Sequence, residues 1–438
     1  MIEPTDLPRG FRMTGIGPLP EAWTQCELGD VAALVRTKVH PRQAPGLPYV
    51  GLEHLDTGDA TIRRRGSPAQ VRSMKGRFRA DDILYGKLRP YLDKAAVAEG
   101  DGICSTDILI LRAKPERAAP AFLAHLLHTL RFIAHAVGTT SGTNHPRTSW
   151  DAIGRFAVAL PPLPEQRRIA AVLDTVRRAI EATDMVLAAA RELKRSLLQY
   201  LFTYGPVPHD QADQVELKET EIGPMPESWA VVSLGSVVAV GPQNGVYKHA
   251  SSYGSGTPII RIDAFDEHGQ FTSRAFKRLA LTPEEVERYR VCAGDILVNR
   301  VNSLPQLGKA VMVPSFDEAT VFESNMMRFT VDSERALPEY TAAYLVTEPC
   351  RDQLLGMARR AVAQSSVNQG DVKSLLIPLP GLPEQCSVSE ALKWVSAKVA
   401  AEEDRRRALQ ALLTSLLHDL MTGRVRANHL ELPTEEQT

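Results

Sequence analysis

Residues 14–34 read TGIGPLPEAWTQCELGDVAAL, and residues 220–240 read TEIGPMPESWAVVSLGSVVAV. At an offset of 206, 11 of the 21 positions are identical, among them Ile16/Ile222, Gly17/Gly223, Trp23/Trp229 and Leu28-Gly29/Leu234-Gly235. A second block returns downstream, where LPPLPEQ at 160–166 matches LPGLPEQ at 379–385 with an offset of 219. Between them, Asp82-Ile83-Leu84 pairs with Asp295-Ile296-Leu297 at an offset of 213. The frame repeats while its interior drifts by a net 13 residues (219 − 206), and such drift belongs in loops. Self-similarity of this kind governs the architecture. The chain is two copies of one fold with differing loops.

Each copy has the same order of parts. An opening segment with Pro, Gly and Trp leads into short apolar runs broken by turn residues, such as Ile108–Leu111, Ile259–Ile262 and Ala310–Val313, which read as strands. A helical stretch, Ala121–Val137 or Glu339–Met357, lies late in each copy. Leu-Pro-Glu-Gln then opens a long helix; the Pro suits a first helical turn and the Glu its positive end.

The two long helices carry a 4,3,4,3 stripe. In the first it runs Ile169, Leu173, Val176, Ile180, Thr183, Leu187, Ala190, Lys194, Leu197 and Leu201, eight of ten apolar. Adding 219 gives Val388, Leu392, Val395, Val399, Glu402, Arg406, Leu409, Leu413, Leu416 and Leu420, again eight of ten. A 3.5-residue period sustained for five heptads signals a coiled-coil seam, with Leu173, Ile180, Leu197, Leu392, Val399 and Leu416 as its expected contacts. The other reading is an amphipathic helix lying on its own domain. Each helix of about 39 residues would span roughly 58 Å at 1.5 Å per residue.

The expected fold is α+β. Two similar domains with short-strand sheets and helices occupy 14–160 and 222–379, and an antiparallel coiled coil of two long helices (161–202 and 380–424) separates them. Residues 203–221, polar with Gly205, Pro206 and Pro208, form a linker, and 425–438 a polar tail. The whole is a tandem repeat with approximate two-fold symmetry, a dimer within one chain.

Composition narrows the function classes. The chain has 438 residues, a formal net charge of −1, 44% hydrophobic and 24% charged residues, as soluble globular proteins do. No apolar run is long enough to span a membrane, and no secretory signal is visible at MIEPTDLPRG. The five cysteines are scattered without a CxxC, which suggests neither a disulfide framework nor a zinc ribbon and points to the cytoplasm. The charge is unevenly placed. Residues 28–160 hold 19 Lys/Arg against 12 Asp/Glu, a net +7, whereas 235–379 hold 15 against 16, a net −1. The run TIRRRGSPAQVRSMKGRFRA at 61–80 has seven basic residues and no acidic one. That is either a phosphate-binding surface or a solvated charged face.

Catalytic constellations are hard to find. No NPPY or FxGxG stretch marks an adenine methyltransferase, and no GxxxxGK(S/T) marks a nucleotide phosphate site; the Gly-rich piece Tyr253-Gly254-Ser255-Gly256 lacks the lysine. Asp210, Glu216 and Lys218, like Glu192 and Lys194, resemble nuclease spacings only by chance, in a linker and on a helix. His125 and His128 form an HxxH without the glutamate of HExxH and read as helix-surface histidines. No catalytic residue and no metal ligand is expected.

The IGPLPEAW/IGPMPESW openings, the run LYGKLRPYLDKAAVA (84–98) followed by DGICSTDILILR (101–112), and PLPEQ at the start of each long helix resemble the specificity subunit of type I DNA restriction–modification systems. The resemblance covers essentially the whole chain in the order domain, helix, domain, helix. The second domain departs from it at NRVNSLPQLGKAVMV (299–313), a looser counterpart of the LRPYLDK run. The resemblance implies a non-catalytic, sequence-specific subunit that binds double-stranded DNA. It would assemble with two methylation subunits and with restriction (helicase-nuclease) subunits, directing adenine methylation and cleavage by them in phage defence. S-adenosylmethionine, ATP and Mg2+ are expected on those partners, with no cofactor on this chain.

Base reading in the major groove calls for Arg or Lys against guanine and Asn or Gln against adenine. Two loops in each copy offer them. In the first copy Lys87, Arg89, Tyr91 and Lys94 follow the Asp82-Ile83-Leu84 strand, and Asn144 and Arg147 precede the long helix. In the second, Asn299, Arg300, Asn302 and Gln306 follow the matching strand, and Gln364 and Asn368 hold the later position. Differing loops imply a bipartite, asymmetric target with an unread gap. Two rivals stay open: a coiled-coil adaptor without DNA readout, and an enzyme with an unrecognised nuclease or methylase site.

Overall fold

The two Leu-Pro-Glu-Gln stretches open the longest helices of the chain, Leu163–Tyr204 and Leu382–Met421. The computed structural model describes residues 7, 9–272, 275–360 and 364–429; most of the expected polar tail thus lies outside the described residues. The chain divides into two compact units, one drawn from residues up to 183 and from 405 onward, the other from residues 184–404. Each unit therefore combines one sheet-bearing domain, the opening part of its own long helix and the closing part of the other.

In the first unit a four-stranded antiparallel sheet runs in the order Ala32–Val35, Ile108–Ala113, Ile83–Gly86, Ala95–Val97. A second sheet has the order Lys38–Val39, Lys75–Phe78, Gly102–Cys104, Tyr49–Val50, its last pair parallel. The opening segment is tied in by Thr24–Glu27, which pairs with Ala157–Leu160.

The second unit repeats the plan. Its four-stranded sheet is Val238–Asn244, Met326–Val331, Ile296–Asn299, Ala310–Met312, and its second sheet has Tyr253–Ile260 between Lys277–Leu279 and the parallel Val321–Phe322. Ala230–Ser233 pairs with Leu376–Leu379. A short helix, Pro283–Tyr289, belongs to this unit and starts at a capping box between Thr282 and Glu285.

Both repeated blocks are explained by one contact. Trp23 is fully buried and its indole N–H donates to Glu165 Oε2 at 2.9 Å; Trp229 donates to Glu384 Oε1 at 3.2 Å. The next residue clamps the end of the domain. Gln166 takes the Ala119 N–H and donates to the carbonyls of Arg117 and Pro161, and Gln385 does the same with Leu337, Arg335 and Pro380. The Asp of the Asp-Ile-Leu pairs is likewise a turn brace. Asp82 accepts from the Arg79 N–H and holds Arg112 with both oxygens, while Asp295 accepts from the Cys292 N–H and the Thr330 hydroxyl.

The seam is formed within each unit. In the first, Ile169 and Leu173 are buried with Leu413 and Leu420, and Val176, Ile180 and Leu416 pack against the same core. In the second, Leu198 and Leu201 share a core with Val388 and Leu392, with Leu197 packed on it, and Leu187 and Ala190 meet Val399. The opening of one helix thus meets the close of the other, which is an antiparallel coiled coil. Leu197 and Leu416 consequently lie in separate cores. Each closing end stops at a glycine in the left-handed region, Gly205 (φ +78°) and Gly423 (φ +71°), which lies against Trp229 or Trp23.

Residues 203–221, expected to be a linker, are tied down. The Tyr200 hydroxyl donates to the Val207 carbonyl, Leu217–Lys218 pairs with Met225–Pro226, and the Lys218 amine donates to the Glu227 and Trp229 carbonyls. A lysine placed to cap two carbonyls gives a polar segment a fixed seat. Among the described residues, no helix is long and apolar enough to cross a membrane.

Candidate nucleic-acid interface

In the first unit the strand Ile83–Gly86 delivers Lys87 and Arg89 to a loop at the sheet's end. The loop before the long helix reaches the same place. Lys87 N–H donates to the Asp107 carbonyl at 2.9 Å, Thr148 N–H to the Lys87 carbonyl at 3.0 Å, and Arg89 N–H to the Pro146 carbonyl at 2.8 Å. An isolated antiparallel bridge joins Leu88 to Arg147. Arg89 has φ +53°, a left-handed conformation that costs a non-glycine residue about 1 kcal/mol or more. Arg89, Tyr91 and Asn144 are exposed and Lys87 is half-exposed.

The second unit builds the same junction. Val301–Asn302 pairs antiparallel with Ser365–Ser366, Val301 opposite Ser366, and Arg359–Arg360 extends the ladder. Arg300 N–H donates to the Asn325 carbonyl at 2.9 Å, and Val367 N–H to the Arg300 carbonyl at 2.9 Å. By offset, Leu88 and Arg147 correspond to Val301 (88 + 213) and Ser366 (147 + 219), and Lys87 and Thr148 to Arg300 and Val367. The two loops of each copy, about 60 residues apart in sequence, are joined by equivalent hydrogen bonds.

Several side chains picked out from the sequence are already engaged. Asn299 is fully buried, its amide near the Ile262 carbonyl at 3.5 Å and its Oδ1 without a partner among the described residues. It is the last residue of a strand buried on both faces, so its amide points into protein and reads no base in this conformation. The Lys94 amine donates to the Leu52 carbonyl at 2.6 Å. Asn368 caps the helix Gln369–Ser374, accepting from the Asp371 N–H at 3.0 Å. Arg147 grips Asp107 through Nε and Nη2 at 2.9 and 3.3 Å, and the hydrogen bonds from that guanidinium hold the Asp107 carboxyl below the usual range. Arg300 is half-buried and donates to the Ser324 carbonyl at 3.1 Å. Asn302, half-buried, accepts from the Ser303 N–H, and Gln364 is exposed. Asp107 and Asn325, which position the loops, were missed; a residue-by-residue alignment of STD (105–107) with ESN (323–325) would have found them.

The basic run at 61–80 divides. Arg63 pairs with Asp59 and Glu181, Arg64 with Asp56, Arg65 with Glu99, and Lys75 is buried beside Tyr49. Arg72, Arg77 and Arg79 stay exposed, without an ion pair among the described residues.

His125 and His128 are not helix-surface residues as expected. Both are buried, His125 bonded to Asp174 at 2.8 Å and His128 to Asp93 at 2.7 Å and the Ala95 carbonyl at 2.9 Å. They pin one helix of the domain in place. Among the described residues no group of three or more His, Cys, Asp or Glu side chains could hold a metal ion.

The model of the type I restriction–modification DNA specificity domain matches residues 20–187 and again 226–411. The chain belongs to that family, once in each copy of its repeat. The MjaVIII type I restriction enzyme specificity subunit of Methanocaldococcus jannaschii is 24% identical over 429 residues, covering 94% of this chain and 95% of that one. Among solved structures, the type I restriction–modification S subunit from M. genitalium aligns over 91% of this chain and 96% of its own, at 11% identity and a TM-score of 0.58. A chain from a study of complex assembly in the type I R-M system aligns over 93% and 99%, at 21% identity and a TM-score of 0.51. Both share the fold.

Proposed function

We propose that each unit reads one part of a split DNA target through its joined pair of loops, and that the methylation and restriction chemistry is carried by partner subunits. The observation behind this is the equivalent junction in both units bearing different side chains: Lys87, Arg89, Tyr91 and Asn144 in one, Arg300, Asn302 and Gln364 in the other. A shared scaffold with unlike side chains is what two unlike half-sites require. Arg89 and Lys87 suit guanine or phosphate, and Asn144, Asn302 and Gln364 suit adenine. The partners are two methylation subunits, which hold S-adenosylmethionine, and restriction subunits, which use ATP and Mg2+, all acting in the cytoplasm.

The test is methyl transfer from labelled S-adenosylmethionine. The chain mixed with its methylation subunit directs methyl groups to one split sequence, and the chain alone transfers none. Methyl incorporation by the isolated chain, or methylation by the complex without sequence preference, would falsify the reading. The second outcome would favour the adaptor.

A further inference from the structure

The turn Glu323–Met326 takes the place of Ser105–Ile108 at an offset of 218. In both units its carbonyl fixes the start of the reading loop, Asp107 for Lys87 and Asn325 for Arg300, each at 2.9 Å. The side chains behave differently. The Asp107 carboxylate is filled by Arg147. The counterpart of Arg147 is Ser366, which supplies no cation, and the half-exposed Asn325 amide makes no side-chain hydrogen bond among the described residues.

That amide stands on a rigid support. Arg300 Nη1 donates to the Ser324 carbonyl at 3.1 Å, Ser324 N–H to the Val246 carbonyl at 2.9 Å, and Val246 N–H to the Phe322 carbonyl at 2.9 Å. At Gly245 a Cβ would lie 2.3 Å from the Phe322 oxygen, so the approach admits no side chain. Val246 is buried, and the next residue, Tyr247, is 79% exposed. An aromatic ring is thus held in solvent, its backbone anchor joined to the turn that carries Asn325.

We infer that Asn325 is a specificity-determining residue of the second unit, reading the edge of an adenine in the major groove, with Tyr247 packed on the adjoining nucleotide. This rests on the split-target reading above. A carboxamide presents one donor and one acceptor that match adenine N6 and N7. The fixed turn removes most of the ordering cost of binding, and a tyrosine adds contact area with few rotatable bonds.

The experiment uses the full chain assembled with its methylation subunit, on DNA with both half-sites randomised, sequencing the methylated products. In Asn325→Asp the preference for adenine at one position of one half-site falls roughly 5- to 150-fold, with cytosine gaining because a carboxylate accepts from its amine. Asn325→Ala, which adds no charge, loses the same preference. Tyr247→Ala weakens binding on all sequences and leaves the preferred bases unchanged. Unaltered base preference in both position-325 variants, changes in both half-sites, or wild-type binding by Tyr247→Ala overturns the assignment. A wild-type complex with no split preference sinks the broader reading instead.

Discussion

Asn299 and Asn302 stand three residues apart, and the fold uses them in opposite ways. Asn299 ends a strand with every residue buried, whereas Asn302 lies on the loop ladder with part of its amide in solvent. Asn299→Asp therefore places a charge in the core and turns the amide donor that faces the Ile262 carbonyl into an acceptor, a loss of several kcal/mol. Asn302→Ala changes stability by less than about 0.5 kcal/mol; thermal melting of the two variants checks both. His125 supplies a pH dependence. Burial holds its imidazole below the ordinary range, with Asp174 acting the other way and Arg177 and His128 reinforcing the shift. The unfolded chain binds a proton that the folded chain resists, so this stability is full above the usual histidine pKa of about 6.5 and is lost as pH falls toward the depressed value. His125→Gln should flatten the fall in melting temperature as pH drops below about 6.5. An equally steep fall in that variant would assign the effect to other groups.

The long helices were the most legible elements, because a 3.5-residue stripe depends only on local order. The stripe marked its middle positions as polar but not what they would meet. Thr183, Lys194 and Glu402 are buried at seam positions, and Lys194 donates to the His268 carbonyl at 3.0 Å. The ends, by contrast, merge into domain cores. Leu173 is fully buried, so Leu173→Ala should cost about 2–5 kcal/mol. Trp394 on the second long helix is 80% exposed, and Trp394→Ala should leave stability within about 0.5 kcal/mol. Denaturant melts separate the two; a large loss for Trp394→Ala would mean that its ring is covered in solution.

The tandem organisation of the molecule was readable because its repeated blocks are each other's partners: Trp23 meets Glu165 and Trp229 meets Glu384, so each pair had to recur together. Side chains whose partners lie far along the chain were not readable in the same way. His125 finds Asp174 49 residues on, and nothing in HxxH announces it. The loops were placed correctly as neighbours of strand and helix, yet which of their side chains remain free depends on carbonyls supplied from elsewhere, such as Leu52 for Lys94. That is why position 325 escaped notice while Lys94 and Asn368 stood out. The central claim is that two like units read two unlike half-sites independently. Its most direct test replaces residues 28–158 by the matching domain of a relative and maps methylated sites with the assembled complex. One half-site should change while the other half-site and the gap are retained; base changes in both half-sites would contradict independent reading.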